Sequence, residues 1–180
     1  STDTLLRLMG QHQHADQGVT EAEIHAMIEE GSEAGLIEQQ EREMVRNVFR
    51  LDDRQIGSLM IPRADIVYLD VERPLEENLH WISSSDHSRF PVCRGGLHNI
   101  LGVVNAKQML NQKLKGADTD LLATLQPPVF VPETLNGMDL LGNFRASGMQ
   151  MVLVVDEYGE VQGLVTLQDV LEAVTGEFKP

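Results

Sequence analysis

Three side chains in this sequence are of the types that bind phosphate and ribose. Thr166 and Asp169 stand three residues apart, where an apolar run over Val161–Val165 gives way to a helix-forming segment. A hydroxyl at the start of a helix lies beside free backbone N–H groups and the positive end of the helix dipole, which favours phosphate. The Asp169 carboxylate can accept hydrogen bonds from two ribose hydroxyls. Arg89 can donate two parallel hydrogen bonds to a phosphate.

The same residues also have an interpretation that needs no ligand. The segment Thr166-Leu167-Gln168-Asp169 is a capping box, which satisfies the first N–H groups of a helix by itself. An isolated arginine such as Arg89 is typical of a surface ion pair. His87 fits a phosphate donor, a stacking ring or plain polar surface equally well. The residues alone therefore leave both interpretations open.

Other chemistry-bearing residues give weaker signals. His12, His14 and Asp16 form a candidate metal-ligand set, but they fall in a stretch with little apolar periodicity. Cys93, the one cysteine, lies in an apolar run and is predicted to be a buried structural thiol. The sequence contains no nucleophile elbow, P-loop or paired-cysteine motif. We therefore expect no catalytic activity.

The composition excludes several classes of protein. The 180 residues include 14 Lys+Arg and 28 Asp+Glu, which gives a net charge of −14. Such a surface repels nucleic acid, whose binding depends on neutralising phosphates with cations, so we expect no nucleic-acid partner. A hydrophobic share of 42% excludes wholesale disorder. No apolar run approaches the roughly 18 to 20 residues that span a bilayer, so we expect a soluble chain.

The periodicity places the candidate site residues in a repeated α/β pattern behind a helical arm. Residues 1–19 are predicted to be a tether and residues 20–53 an acidic arm of two helices, from Thr20 to about Gly35 and from about Glu38 to Arg50. Strands and helices then alternate as β-α-β-β-α in residues 54–116 and again in residues 117–178. The predicted elements are strands over Ile66–Leu69, Phe90–Cys93, Ile100–Val104, Pro128–Val131, Met151–Val155 and Val161–Val165, and helices over Leu75–Ser84, Asn105–Leu114, Asn136–Ser147 and Thr166–Val174.

An internal repeat relates the two halves. Residues 89–110 align with residues 150–171 at a constant offset of 61, and residues 66–68 align with 129–131 at an offset of 63. Two copies are too few for a solenoid, so the repeat indicates a pseudo-two-fold pair with a shared core. Asn105 and Gln108 stand where the second repeat has Thr166 and Asp169. An amide pair lacks the charge of the carboxylate, so we expect one good site and one degenerate site.

The tandem repeat resembles a pair of CBS domains, and its details resemble the CorC/HlyC and CNNM branch of that family. The matching segments cover roughly residues 20 to 178. They are Glu29-Glu30-Gly31-Ser32-Glu33-Ala34-Gly35-Leu36-Ile37, Met60-Ile61-Pro62-Arg63, His87-Ser88-Arg89-Phe90-Pro91-Val92, Val155-Asp156-Glu157-Tyr158-Gly159 and Gly163-Leu164-Val165-Thr166-Leu167-Gln168-Asp169-Val170-Leu171-Glu172.

This resemblance implies an α/β module of tandem CBS domains that binds an adenine nucleotide (AMP, ADP or ATP) in the cleft between the repeats. Magnesium is a candidate companion of ATP. Four residues are apolar enough to sandwich an adenine, namely Ile66, Tyr68, Pro91 and Leu164. The implied nucleotide-binding residues are Ile66, Tyr68, His87, Ser88, Arg89, Pro91, Leu164, Thr166, Gln168 and Asp169.

The resemblance also implies partners and a location. Members of the family carry a transmembrane domain before the CBS pair and a small domain after it, and are associated with magnesium and cobalt export. The chain is then expected on the cytoplasmic side of a membrane, as a homodimer that controls the adjacent transmembrane transport domain. Two rival functions stay open. One is a structural dimerisation module with a vestigial cleft, and the other is an enzyme with Asp169 and His87 as acid and base, for which the sequence supplies neither nucleophile nor metal.

Overall fold

A computed structural model describes residues 18–116 and 120–176 of the chain. In chain order the helices are α1 (Glu21–Glu33), α2 (Gln39–Asp53), α3 (Leu75–Ser83), α4 (Ala106–Leu114), α5 (Gly137–Ser147) and α6 (Leu167–Thr175). The strands are β1 (Ile61–Pro62), β2 (Leu69–Asp70), β3 (Arg89–Cys93), β4 (Ile100–Asn105), β5 (Phe130–Pro132), β6 (Met151–Val155) and β7 (Val161–Thr166). The described residues divide into two compact units, with the boundary between Arg46 and Asn47.

The first unit is a pair of helical segments joined by a glycine turn. Thr20 caps α1 with the predicted capping box, since its hydroxyl accepts from the Glu23 N–H and the Glu23 carboxylate accepts from the Thr20 N–H. The Arg42 guanidinium of α2 donates a hydrogen bond to the Glu29 carboxylate of α1. These contacts join the two helical segments to each other, so the arm has internal structure of its own.

The second unit contains the two predicted repeats, each folded on its own sheet. The first repeat, β2-α3-β3-β4-α4, forms a three-stranded sheet in the order β2-β3-β4. The second, β5-α5-β6-β7-α6, forms a sheet in the order β1-β7-β6-β5. In both repeats the first two strands pair in parallel and the last two form an antiparallel hairpin. The predicted architecture of two β-α-β-β-α repeats is confirmed.

The last strand of each repeat also pairs with the segment that leads into the other repeat. Ile61, which lies before strand β2 of the first repeat, pairs with Leu164 on β7, and Gln126, which lies before strand β5 of the second, pairs with Val103 on β4. Val103 and Leu164 occupy equivalent positions, so the two crossings are related by the internal symmetry. They tie the repeats together at the backbone.

Two glycines permit these crossings. A methyl group at Gly102 would lie only 2.7 Å from the carbonyl oxygen of Gln126, and one at Gly163 would overlap the carbonyl oxygen of Ile61. Both separations are below any real contact of a β-carbon, so neither crossing strand can approach closely if these positions carry a side chain. The two glycines open the aligned segments Gly102-Val103-Val104 and Gly163-Leu164-Val165, which we call the Gly-x-Val motifs. Close backbone approach explains a glycine at each of these positions.

The apolar side chains separate into three buried clusters. One lies under the sheet of the first repeat and includes Phe90 and Val104, and a second lies under the sheet of the second repeat and includes Val152 and Val165. A third contains residues of both repeats, among them Cys93. The members of this shared cluster are Ile66, Cys93, Leu97, Val103, Met151, Leu153, Val161 and Leu164. This is the common core that the internal repeat predicts.

The structure corrects the register of the repeat. Asn105 and Thr166 keep the offset of 61, but their strand partners are Arg89 and Met151, which are 62 residues apart. The reason is the hairpin loop, which spans residues 94–99 in the first repeat and is one residue shorter, 156–160, in the second. The gap-free alignment of Arg89 with Gln150 is therefore wrong by one position. In a strand such a slip would place every side chain on the opposite face.

The predicted first strand of repeat one is also displaced. Only Leu69 of the predicted Ile66–Leu69 lies in a strand, which continues to Asp70. The preceding residues follow a 3₁₀ turn at Arg63–Asp65, and Ile66 is drawn into the shared core instead of a ladder. Because Leu69 pairs with Val92 and Val131 pairs with Val154, the offset between the first strands is 62, and the proposed 63 is wrong. Helix α2 ends at Asp53, three residues beyond the predicted Arg50, and the other predicted helices and strands agree with the structure to within two residues.

A buried polar pair fixes helix α3 to strand β2. The Asn78 side chain accepts a hydrogen bond from the Asp70 N–H at 3.0 Å and donates one to the Asp70 carbonyl at 2.8 Å. The Asp70 carboxylate in turn accepts from the N–H groups of Glu72 and Gly95. Both Asp70 and Asn78 are buried, so each of these groups depends on its protein partner.

We predict that Asn78→Ala lowers the free energy of unfolding by about 2–4 kcal/mol, because it leaves two buried backbone groups without partners. Urea unfolding followed by circular dichroism measures the change. Asn111→Ala is the matched control, because Asn111 is exposed on α4; we expect it to stay within about 0.5 kcal/mol of the parent. Equal effects of the two substitutions would contradict this account of α3.

The buried thiol gives a pH-dependent prediction. Burial, reinforced by the nearby Asp70 carboxylate, raises the pKa of Cys93 from 9.0 to about 12. The folded chain thus holds a proton that the unfolded chain releases between about pH 9 and pH 12. The Cys93 contribution to stability is fully present below pH 9 and is lost as the pH rises through that window, at up to about 1.4 kcal/mol per pH unit. Urea unfolding from pH 8 to pH 10.5 should show a shallower decline for Cys93→Ala than for the parent. Parallel declines would show that this thiol does not contribute.

Candidate functional site

A cavity of about 360 Å³ opens between the two repeats where β7 passes into α6. Residues of both repeats line it, together with the segment that precedes the first repeat. The lining residues are Ile61, Asp65, Ile66, Val67, Asp86, His87, Ser88, Arg89, Gln150, Met151, Leu164, Thr166, Leu167, Gln168, Asp169 and Glu172. A cleft between modules, with apolar walls and a few polar groups, is the usual form of a small-molecule site.

The start of α6 forms the polar end of this lining. The Thr166 hydroxyl accepts a hydrogen bond from the Asp169 N–H at 3.2 Å, and the Asp169 Oδ2 atom accepts from the Thr166 N–H at 2.7 Å. The capping box predicted from the sequence is therefore formed. It fixes both side chains at the helix start with the Asp169 carboxylate in the cavity wall. The second oxygen, Oδ1, accepts no hydrogen bond from the residues that the structure describes.

Arg89 is the cation of the cavity. It is the first residue of β3, paired across the sheet with Asn105, and its side chain is half-buried. Within residues 18–116 and 120–176 the guanidinium forms neither an ion pair nor a hydrogen bond, although four carboxylates line the same cavity. An arginine that is half-buried, held on a rigid strand and unpaired is suited to bind an anionic ligand.

The structure brings eight of the ten predicted site residues to this one lining. Tyr68 and Pro91 are the two that lie outside it. The Tyr68 ring packs beneath the Arg73 guanidinium, whose Cζ atom lies 5.2 Å from the centroid of the ring. The Tyr68 hydroxyl accepts a hydrogen bond from the Arg73 Nη2 atom at 3.4 Å. Pro91 is buried in the middle of β3 opposite Val103. The apolar part of the lining comes instead from residues such as Ile61, Val67 and Met151.

The sequence analysis missed the acidic character of the cavity. Asp65, Asp86 and Glu172 join Asp169 in the lining, against the single cation Arg89 and the imidazole of His87. Glu172 had a recognisable signal, since it follows Asp169 by three residues on the same helix and accepts a hydrogen bond from Gln168 at 3.0 Å. Asp65 and Asp86 lie next to two of the motif segments, but nothing in the sequence placed them at the same cavity.

The equivalent positions of the first repeat lack the same chemistry. Asn105 caps α4 by accepting from the Lys107 N–H at 2.9 Å. Gln108 stands at the position equivalent to Asp169 and carries no carboxylate. In the corrected register, Met151 of the second repeat is equivalent to Arg89 of the first. The counterpart site therefore lacks both the acidic and the basic group.

The metal-ligand candidate cannot be placed. His12, His14 and Asp16 lie outside the described residues, as does most of the predicted tether. Among the residues that are described, no group of three or more His, Cys, Asp or Glu side chains is arranged to hold a metal ion.

Two symmetry-related β-α-β-β-α units with a cavity at the last strand–helix junction define a pair of CBS domains. The profile of the CBS domain family matches residues 120–176, which is the second repeat. Sequence comparisons and solved structures place the chain more narrowly.

Three curated relatives match nearly all or most of the chain. A UPF0053 protein of Synechocystis sp. is 47% identical over 98% of the chain. The UPF0053 inner membrane protein YoaE of Escherichia coli K12 is 40% identical over 99%, and the magnesium and cobalt efflux protein CorC of Pasteurella multocida is 37% identical over 87%. The chain spans only 39%, 34% and 53% of the lengths of these relatives, respectively.

Solved structures agree with the sequence comparisons. The CBS domain of the bacterial CNNM/CorC family Mg²⁺ transporter is 35% identical, with a TM-score of 0.79 over 91% of this chain and 100% of that one. The same kind of domain in complex with ATP is 36% identical, with a TM-score of 0.68 over 77% and 99%. A CBS-domain pair of Klebsiella pneumoniae with bound AMP is 27% identical, with a TM-score of 0.63 over 68% and 98%. The chain belongs to the CNNM/CorC family, as one of its CBS-domain modules.

None of the helices in the described ranges combines the length and the apolar character needed to cross a membrane.

Proposed function

We propose that this chain is a regulatory module that binds one adenine nucleotide in the cavity between its CBS repeats and thereby controls an attached divalent-cation transport domain. The observation that carries the proposal is Arg89, which has no ion-pair partner among the described residues and lies in the same cavity as the capped helix start at Thr166 and Asp169. Arg89 and the helix N-terminus serve the phosphates, and Asp169 serves the ribose hydroxyls. The apolar wall with Ile66 and Leu164 serves the base. Catalysis has no part in the proposed function.

The comparisons support the choice of ligand class. Related CBS modules have been solved with ATP and with AMP, and both kinds of complex cover most of this chain. The efflux protein of Pasteurella supports magnesium and cobalt as the transported ions. The relationship to the inner membrane protein YoaE supports a place next to a membrane. We propose the cytoplasmic side, and a homodimer next to a transmembrane domain, as the family resemblance implies.

The charge of the cavity bears on the state of the ligand. Four carboxylates and one arginine line it, in a chain of net charge −14. AMP brings fewer negative charges into this surrounding than ATP does. A magnesium ion that neutralises the polyphosphate therefore favours ATP binding more than AMP binding. The cation is carried by the nucleotide in this proposal.

The direct test is a calorimetric titration of the chain with AMP, ADP and ATP, each with magnesium and with excess chelator. The proposal expects saturable binding of one nucleotide per chain. A folded chain that binds none of the three would overturn it and would favour the rival function, a structural dimerisation module with a vestigial cleft.

The asymmetry of the repeats predicts the stoichiometry and its dependence on Asp169. Asp169→Ala removes charge-assisted ribose hydrogen bonds worth about 2–3 kcal/mol and should weaken binding by roughly 30- to 150-fold. Gln108→Ala, at the matched position of the first repeat, should leave affinity unchanged. Two equivalents bound with similar affinity would contradict the single site.

The helix cap needs its own control, because Asp169→Ala also removes an N-terminal cap worth about 0.5–2 kcal/mol. Asp169→Asn keeps an oxygen for the Thr166 N–H and removes only the charge. We expect a melting temperature near that of the parent and an affinity at least about tenfold weaker. If binding by Asp169→Asn matches the parent, Asp169 serves only the cap.

A further prediction concerns Arg89 and magnesium. Arg89→Ala should weaken ATP binding by about tenfold or more, because among the described residues it removes the one arginine of the lining. Arg94→Ala removes the same charge from an exposed position outside the lining and should have little effect. Chelation of magnesium should weaken ATP binding more than AMP binding. Equal ATP affinity with and without magnesium would contradict the charge argument.

A further inference from the structure

One wall of the cavity is formed by a segment that precedes the first repeat in sequence but packs on the second. We call residues 56–67 the strap. Ile56 is fully buried in the core of the second repeat, and its N–H donates to the Leu135 carbonyl at 2.8 Å. Ile61 then pairs with Leu164 on β7. The strap is thus part of the second repeat in space, although α3 and the rest of repeat one follow it directly.

The strap supplies a quarter of the cavity lining, through Ile61, Asp65, Ile66 and Val67. The opposite part of the lining includes Thr166 and Asp169 at the start of α6. Any ligand that fills the cavity therefore contacts both the strap and α6. The position of the strap determines whether that wall is in place.

Two residues outside the lining hold the strap on β7. The Arg63 guanidinium donates to the Val161 carbonyl at 2.7 Å, and its Nη1 atom lies 3.7 Å from the Glu160 carboxylate. Gly163 leaves room for the carbonyl of Ile61 and for the sulfur of Met60, which a β-carbon would approach to 2.7 Å. Arg63 thus attaches the strap to β7 by a charge-assisted hydrogen bond, and the missing side chain at Gly163 lets the strap approach β7 closely.

The strap continues from the end of α2, which is anchored on the same repeat. Leu51 is buried against Gly137, and the Gly137 N–H donates to the Arg54 carbonyl at 3.1 Å. The Asn47 side chain donates to the Val174 carbonyl near the end of α6 at 3.1 Å. The last two turns of α2 are therefore joined to the cavity wall by a short, well-packed stretch of chain.

We propose that Arg63 and Gly163 are positioning residues for the nucleotide site, and that occupancy of the cavity is coupled to the end of α2 through the strap. The inference rests on the proposed function, since it requires the cavity to bind a nucleotide. A bound nucleotide restrains the strap, and the restrained strap holds residues 47–53. Because such coupling is reciprocal, a chain whose strap is released from β7 binds the nucleotide more weakly.

The binding test uses two variants, each with a matched control. Arg63→Ala should weaken ATP binding, measured by calorimetry in magnesium, by roughly fivefold to tenfold. Arg94→Ala controls for the lost charge. Gly163→Ala should weaken binding further, because it forces the strap off β7. Gly102→Ala, which disturbs the equivalent crossing away from this cavity, should leave affinity within about twofold. If Gly163→Ala does not fold, the affinity of Arg63→Ala alone decides the binding test.

A second measurement separates positioning from general loss of stability. Hydrogen exchange of the parent is measured with and without saturating Mg-ATP. The nucleotide should slow exchange at residues 47–67 by at least about fivefold more than at α3, which is fixed to β2 and contributes no residue to the lining. In Arg63→Ala, with ATP again saturating, this excess protection should disappear from residues 47–53.

The outcomes distinguish the two proposals. A parent chain that binds no nucleotide overturns the proposed function and this inference together. A parent that binds ATP, with unchanged affinity in Arg63→Ala or with equal protection of residues 47–67 and α3, overturns the inference alone. Weakened binding with selective loss of protection at residues 47–53 supports it.

Discussion

The second unit depends on the close approach of two backbones at each of two glycines. Gly102 and Gly163 allow Gln126 and Ile61 to cross onto the last strand of the opposite repeat. Because each sheet is completed by residues that precede the other repeat, neither repeat has a complete set of contacts by itself. The shared core and the cavity both lie where these crossings bring the repeats together. A side chain at Gly163 would disturb the cavity wall at Ile61 as well as a strand pairing, whereas one at Gly102 would disturb only the pairing with Gln126.

The sequence predicted the repeat well because the hydrophobic alternation and the Gly-x-Val motifs are local signals. It failed at the register, because the alignment treated two hairpins as equal when one loop is a residue shorter. Arg89 was assigned to the cavity by its motif, so the slip did not affect it. The slip did hide the fact that its structural counterpart is Met151. Loop length between strands was therefore the missing information, since one residue changes which face each side chain occupies.

The acidic lining shows a second limit of sequence reasoning. The composition gave a strong negative charge but not its location, and Asp65, Asp86 and Glu172 come from three separate segments. Only the crossing of the strap brings Asp65 near the helix that carries Glu172. Tyr68 illustrates the converse error, because it was expected at the adenine base but stacks beneath Arg73 instead. Ile66 and Val67 line the cavity and Tyr68 does not, so apolar character alone did not determine which residues of this segment face the cavity.

The capping box at Thr166 and Asp169 does not by itself decide between a structural and a ligand-binding role. The box is formed, and it would stabilise α6 whether or not a ligand binds. Arg89 distinguishes the two interpretations better. In a purely structural cleft with four carboxylates and one arginine, we would expect the arginine to form an ion pair with one of the carboxylates, because a partner stabilises a half-buried charge. Arg89 nevertheless makes no ion pair with any residue that the structure describes, and β3 holds it at the cavity wall. The cap then presents a fixed carboxylate and a positive helix end to the same space, so the structural device also supplies two of the groups that the proposed nucleotide site requires.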